Sequence, residues 1–271
     1  MRVLGIYRES QFSPGKVDAD AAILDAVLAA LREKKLESST VMAERIDSHF
    51  DAKANLVLAM CQGEHALERL AHLEKTGALV INSALAIRNC YRDLMGAGLT
   101  RAGIPAPRGV LLDLSRPEPR LEGIDATHEL YVKRGDLHAL GPEDVQRVDR
   151  LADIYAVLAA FVQRGIRKAY VQEAVSGLLV KFYGVSGGEY FAALPETGQL
   201  SFQAEQSLRQ AAERAAAALG LEVWGGDAIV QDNSIMLVDF NDWPSFSRVR
   251  VEAARAIARR CMLLLRRRDQ S

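Results

Sequence analysis

Three oxygen-bearing side chains near the end of the chain have the types and spacing of a cation site. Asp239 and Asn241 stand two apart in the run Met236-Leu-Val-Asp239-Phe-Asn241-Asp-Trp-Pro244, and Asp227 lies twelve residues before Asp239 in Gly225-Gly-Asp227-Ala-Ile-Val230. Strand alternation sends residues two apart to one face, so Asp239 and Asn241 leave the same side. A hairpin turning at Asp232-Asn233 puts Asp227 opposite Asp239, and the three converge on one patch. Asp and Asn are poor strand formers. Three of them set between apolar runs therefore point to a function, against the plainer alternative of a polar wet face. Such donors suit Mg²⁺, a hard ion that keeps several waters and shares its octahedron with substrate phosphates.

A cation stands ready for those phosphates. Lys133 ends the apolar run Tyr131-Val-Lys133, just before the Gly-containing loop Arg134-Gly-Asp-Leu-His-Ala-Leu-Gly141. A lysine at that place can clamp phosphate oxygens. Arg8, after the first apolar run, and Arg248 and Arg250, after Pro244, are candidate contacts for an anionic acceptor.

The elements that must position these groups read as alternating strands and helices. Val3–Tyr7, Ser39–Ala43, Asn55–Met60 and Leu79–Ile81 are short strand-like runs. Between them, one helix starts at an Asp18 cap and runs to Lys35, and another spans Glu64 to Thr76 and stops at Gly77. This order predicts a small parallel sheet in an α/β lobe. A helix over residues 84–102 closes at Gly103-Ile-Pro105-Ala-Pro107, where two prolines forbid continuation, and the first boundary falls there. Strands at Gly109–Asp113 and Leu130–Lys133 follow, then a helix over residues 143–164 with Pro142 in its first turn. Strands at 168–173, 177–185 and 189–193, a helix over 203–219, the hairpin 221–241 and a helix from Arg248 complete the chain.

Composition narrows the classes. The chain has 271 residues, 49% apolar and 25% charged, and a net charge of −1. It has enough apolar content for a proper core, and gives no global electrostatic case for nucleic acid or an anionic membrane. No signal peptide is expected at the start, and no apolar stretch approaches the roughly 18 residues of a membrane span. Three scattered cysteines match no metal spacing and suggest reduced thiols in the cytoplasm.

The ordered motifs resemble the ATP-grasp superfamily, above all carboxylate–amine ligases such as the ribosomal protein glutamate ligases, and more distantly inositol polyphosphate kinases. The resemblance covers about residues 80–245. Asp227, Asp239-Phe-Asn241 and Trp243-Pro244 are similar to its closing hairpin, with Asp239 where Glu is commoner and Ser245 where Gly is usual. It implies a small N-terminal α/β lobe (1–104) followed by a two-part ATP-binding domain with antiparallel sheets (105–173 and 174–271). It also implies ATP and Mg²⁺, or Mn²⁺, as cofactors, with Asp227, Asp239 and Asn241 on the metal. Arg92, Lys133 and Lys181 go to the phosphates, and Gln172, Glu173 and Val175 to the adenosine. The implied activity is formation of an acyl phosphate from a small-molecule or peptide carboxylate for attack by an amine. The alternative is a kinase phosphorylating a hydroxyl, for which His138 in the loop after Lys133 is the residue to inspect. A homodimer is compatible with either.

Overall fold

The computed structural model describes residues 1–116, 121–137 and 139–270. Three four-stranded sheets carry the chain. The first holds β1 (Arg2–Tyr7), β2 (Glu37–Met42), β3 (Leu56–Ala59) and β4 (Leu79–Ile81), parallel, in the order β2-β1-β3-β4. Helices α1 (Val17–Glu33) and α2 (Glu64–Lys75) cross between its strands, and α1 buries Ile23, Leu24, Val27, Leu28 and Leu31. That 3–4 spacing is the apolar stripe of a helix lying on a sheet. Asp18 does not cap α1: Lys16 takes the cap position without a side-chain bond, and Asp18 and Asp20 sit in the first turn, where the helix dipole favours acids.

The segment predicted as one helix over 84–102 is two, α3 (Ala84–Asn89) and α4 (Arg92–Arg101). Tyr91 breaks it, because its backbone turns extended and its buried hydroxyl donates to the Gln62 carbonyl. Arg92 thereby becomes the first residue of α4.

The second sheet is antiparallel: β5 (Gly109–Asp113), β6 (Leu130–Arg134), β7 (Val145–Val148) and β8 (Lys168–Glu173), in the order β5-β8-β6-β7. Helix α5 (Leu151–Gln163) packs Ile154, Leu158 and Phe161 beneath it. The predicted helix over 143–164 is corrected in its first part. Residues Pro142–Asp144 form a single 3-10 turn and β7 follows, so α5 starts only at Leu151. Tertiary contacts override local helix propensity here. Asp144 is fully buried, accepts the Leu140 N–H at 2.9 Å and pairs with Arg134 and Arg164, while Val145 and Val148 pair with Lys133 and Leu130.

The third sheet runs β10-β9-β11-β12, antiparallel, from β9 (Leu178–Val185), β10 (Tyr190–Pro195), β11 (Val223–Gln231) and β12 (Ser234–Asp242). Helix α6 (Phe202–Leu219) is capped by the Ser201 hydroxyl and ends at Gly220 in the left-handed region. The last helix, α7 (Arg250–Arg268), returns to the first lobe, where Ile257, Cys261 and Leu265 join Val3, Leu28 and Leu56 in one core. Asn82 ties the first and third sheets together: its amide donates to the Val223 carbonyl at 2.7 Å and accepts from the N–H groups of Glu222 and Val223.

Candidate active site

The β11–β12 hairpin brings Asp227 opposite Asp239, but not by the turn alone. Next to the Asp232-Asn233 turn, Gln231 pairs with Ser234, a register that would carry Asp227 opposite Val238. A bulge between Asp227 and Ala228 takes up Val238 as an extra residue and restores the Asp227–Asp239 pair. A one-residue slip would have turned Asp239 toward the core beside Leu237. The bulge also aims the Val238 carbonyl at Lys133, whose ammonium donates to it at 3.3 Å.

Lys133 is 8% exposed and donates to the Gln172 side-chain oxygen at 2.6 Å. Burial pulls its ammonium down to about 8, and Asp239 only partly opposes this. Arg92, buried at the start of α4, lies 3.9 Å from Asp239 and donates to the Arg134 carbonyl. Lys181 on β9 pairs with Asp227 at 2.9 Å. Burial works against the charged lysine, but the hydrogen bond and attraction of Asp227 outweigh it and its pKa rises. Asp227 is itself held above the usual carboxylate range by burial, despite Lys181. Asn241 donates to Asp239 at 3.4 Å. The predicted metal set and the three predicted phosphate cations thus lie around one hairpin face.

A cavity of about 290 Å³ opens on this face. Asp227, Asp239, Asn241 and Asp242 line it from the hairpin, Lys181 from β9 beside it, Trp243 from the turn after β12, and Arg8 and Asp20 from the first lobe. Two carboxylates and an amide oxygen fit a hard divalent ion. Among the described residues no cluster of three His, Cys, Asp or Glu could hold a metal alone, so such an ion would complete its shell with water and phosphate oxygens.

Of the three arginines predicted at the acceptor, one lies on the cavity. Arg8 lines the cavity, held by the Trp243 carbonyl at 2.7 Å and by Asp20 at 3.4 Å. Trp243 is fully buried with φ of 40°, a left-handed backbone that turns the chain after β12. Arg248 is exposed, Arg250 opens α7, and neither lines the cavity. His138 lies outside the described residues. At the adenosine positions, Gln172 is buried, with its side chain on Lys133, and the Glu173 N–H donates to Arg108 within the sheet. Glu173 ends β8, and Val175 lies in the link to β9.

Three residues went unrecognised in the sequence. Asp242 is 2% exposed, accepts from the Gln62 side-chain amide at 2.9 Å, and is pushed above the usual carboxylate range by burial, with Arg8 opposing. Glu9 and Gln62 are buried beside it, and both Glu9 oxygens accept backbone N–H groups, of Gln62 and Gly63. Asp242 carried a signal: alternation from Asn241 puts a carboxylate on the inward face of a strand, where one is rarely found.

No family model matches the sequence, and no curated protein matches it. Solved structures do match. A D-alanine–D-alanine ligase from Bacillus anthracis complexed with ATP superposes with a TM-score of 0.73 at 13% identity, over 98% of this chain and 99% of that one. The D-alanine–D-alanine ligase from Coxiella burnetii gives 0.75 at 15%, over 100% and 97%. A RimK domain ATP-grasp protein from Sphaerobacter thermophilus gives 0.68 at 16%, over 97% and 100%. This chain has the ATP-grasp fold. Within this fold, Lys133 on β6 faces the β11–β12 hairpin from the second, central sheet.

Proposed function

We propose that the protein is an ATP- and Mg²⁺-dependent ligase that activates a carboxylate as an acyl phosphate for attack by an amine. The observation that carries this is the bulged hairpin, which sets Asp227 opposite Asp239 with Lys133 held on the bulge carbonyl. Similar structures include D-alanine–D-alanine ligases and a D-Ala:D-Ser ligase. We place the lobes at residues 1–104, 105–173 and 174–271. Three buried, free cysteines suit a reducing cytoplasm, and no described helix is long and apolar enough to cross a membrane.

In this scheme Lys133, Lys181 and Arg92 hold the phosphates, and the β8–β9 link from Gln172 and Glu173 to Val175 carries the adenosine. Asp227, Asp239 and Asn241 hold Mg²⁺, or Mn²⁺, which when bound neutralises phosphate charge as it develops. Arg8 orients the acid in the cavity. The substrate carboxylate oxygen bonds to the γ-phosphorus as the bond to ADP breaks; the amine then bonds to the acyl carbon and phosphate leaves. The protein's work is positioning and charge neutralisation. The kinase alternative loses ground on charge. Of the described cations lining the cavity, Lys181 and Arg8 are each matched by an acid and Lys16 is left as surplus, which is little positive charge for a polyphosphate acceptor.

The test is to screen carboxylates with ATP, Mg²⁺ and hydroxylamine for hydroxamates, with polyols screened in parallel for stable phosphate esters by mass. A hydroxamate from a small carboxylate is expected. A phosphorylated polyol without any hydroxamate would show that the protein is a kinase.

A further inference from the structure

The charged groups around the cavity are mostly matched. Lys181 lies on Asp227, Arg8 on Asp20 and the Trp243 carbonyl, and Asp239 faces Arg92. Glu9, in the wall behind, uses both oxygens on backbone N–H groups. Asp242 differs. It lines the cavity and is 2% exposed, and while Oδ1 accepts from Gln62 at 2.9 Å, its buried Oδ2 has no hydrogen-bond partner. No cation lies within ion-pair distance of it among the described residues. Beside it the Gln62 oxygen, also buried, is a second acceptor without a donor. Leaving a buried acceptor unmet costs about 1–3 kcal/mol, and more when it is charged. The unmet anionic acceptor on the cavity, Asp242, calls for a ligand that brings an N–H donor and a positive charge. On the same cavity the Arg8 Nε, ion-paired with Asp20, has no hydrogen bond of its own.

We propose that Asp242 is a specificity-determining residue that seats the ammonium group of the acid substrate, so that the protein takes amino acids in preference to acids without an amine. The proposal rests on the ligase reading above. The ammonium belongs to the acid that is activated and not to the attacking amine. A nucleophile must present a free lone pair, and a buried carboxylate would hold it protonated. Arg8 is placed to meet the other, anionic end of such a zwitterion. Asp242 follows Asn241 at the end of β12 and lines the same cavity as Asp239 and Asn241, so one strand end would serve both the phosphate site and acceptor choice.

The experiment compares L- and D-amino acids with their desamino counterparts, using ATP, Mg²⁺ and hydroxylamine. Wild type is expected to make hydroxamate from an amino acid with kcat/KM about 100-fold above its desamino partner, the scale of discrimination when a buried polar group is left unpaired. In Asp242→Asn the ratio should collapse toward one, mainly through KM, while affinity for a non-hydrolysable ATP analogue stays within about twofold. A wild type that prefers the desamino acids, or a preference unchanged in Asp242→Asn, overturns the proposal. If Asp242→Asn fails to fold, calorimetry of both acid series on wild type with the analogue decides: amino acids must bind tighter. If the analogue itself does not bind at millimolar concentration, the ligase reading fails separately. The same acid panel is then scored by thermal shift on wild type. Stabilisation by amino acids alone supports the Asp242 site, and stabilisation by none rejects it.

Discussion

The central sheet and the third sheet each place a lysine near the Asp227–Asp239 pair, under opposite conditions. Lys133, on the central sheet, is nearly buried and rests on neutral acceptors, the Gln172 amide and the Val238 carbonyl. Lys181, on the third sheet, has a side chain 52% exposed and is paired with Asp227. Burying a charge without a charged partner is unfavourable. The central sheet therefore keeps a cation that Asp239 compensates only in part, whereas the charges beside the hairpin already satisfy one another and would exchange partners on binding a ligand. The first arrangement favours affinity and the second favours placement.

The largest effect should come from the hairpin's acid. Asp239→Asn is expected to lower hydroxamate formation by more than about 100-fold, the loss already seen when groups behind a metal ligand are removed. Its thermal midpoint without nucleotide should stay near wild type, since relief of repulsion with Asp227 offsets the weaker contact to Arg92. Wild-type turnover in this variant would remove Asp239 from the metal site.

On the central sheet, Lys133→Met should weaken binding of a non-hydrolysable ATP analogue by roughly 10- to 100-fold, as for loss of a charge-assisted hydrogen bond. Its midpoint should move by no more than about 2–4 °C, because removing a desolvated charge and stranding the Gln172 oxygen act in opposite directions. Calorimetry and a melting curve on the same sample check both parts. A large loss of stability with unchanged affinity would make Lys133 a structural residue.

How much of this contrast could be read beforehand differs between the two walls. Asp227, Asp239 and Asn241 were legible because strand alternation and a two-residue turn are local rules. The bulge at Val238 was not: the register next to the turn is one residue off, and the partner that uses the freed carbonyl, Lys133, is 105 residues away. Strand β7 read as helix because only its pairing with β6 makes Val145-Gln-Arg-Val148 extended. Strand alternation marks Asp242 as inward, but its partner Gln62 is 180 residues away, and no local pattern in the sequence names it. Arg248 and Arg250 followed from proximity to Pro244 in the sequence, but the cavity lining stops at Ser245, before the left-handed Phe246 and the start of α7.

A pH series sharpens the comparison without mutation. With Lys133 near 8 in the free protein, raising the pH through that value removes the charge proposed to meet the phosphates. Affinity for the analogue should fall about tenfold between pH 7 and pH 9, as for one group whose charged form binds. The sign for stability is opposite. The folded pKa lies below the unfolded one, so the unfolded chain binds more protons above pH 8, and this lysine's contribution to stability rises with pH from about 8 to 10.5. Lys133→Met should flatten the affinity profile. A slope that persists in the variant would assign the titration elsewhere.

The smallest effect should come from Lys181, on β9 beside the hairpin. Exposed ion pairs contribute about 0–1 kcal/mol, and the Lys181 side chain is more than half exposed, so Lys181→Met should shift the midpoint by less than about 2 °C. Analogue affinity should fall less than about tenfold, because water already screens the contact that Lys181 would make with phosphate. The variant also frees Asp227, whose carboxylate loses its 2.9 Å partner and becomes fully available to a metal. The Mg²⁺ concentration needed for half-maximal turnover should therefore not rise, and a modest fall is expected even as nucleotide affinity drops. A Mg²⁺ titration of hydroxamate formation at saturating ATP separates the two. If Lys181→Met instead raised the Mg²⁺ requirement severalfold, the Asp227–Lys181 pair would be positioning the acid for the metal and not competing with it. The hairpin would then be as pre-organised as the central sheet, and the contrast between the two walls would fail.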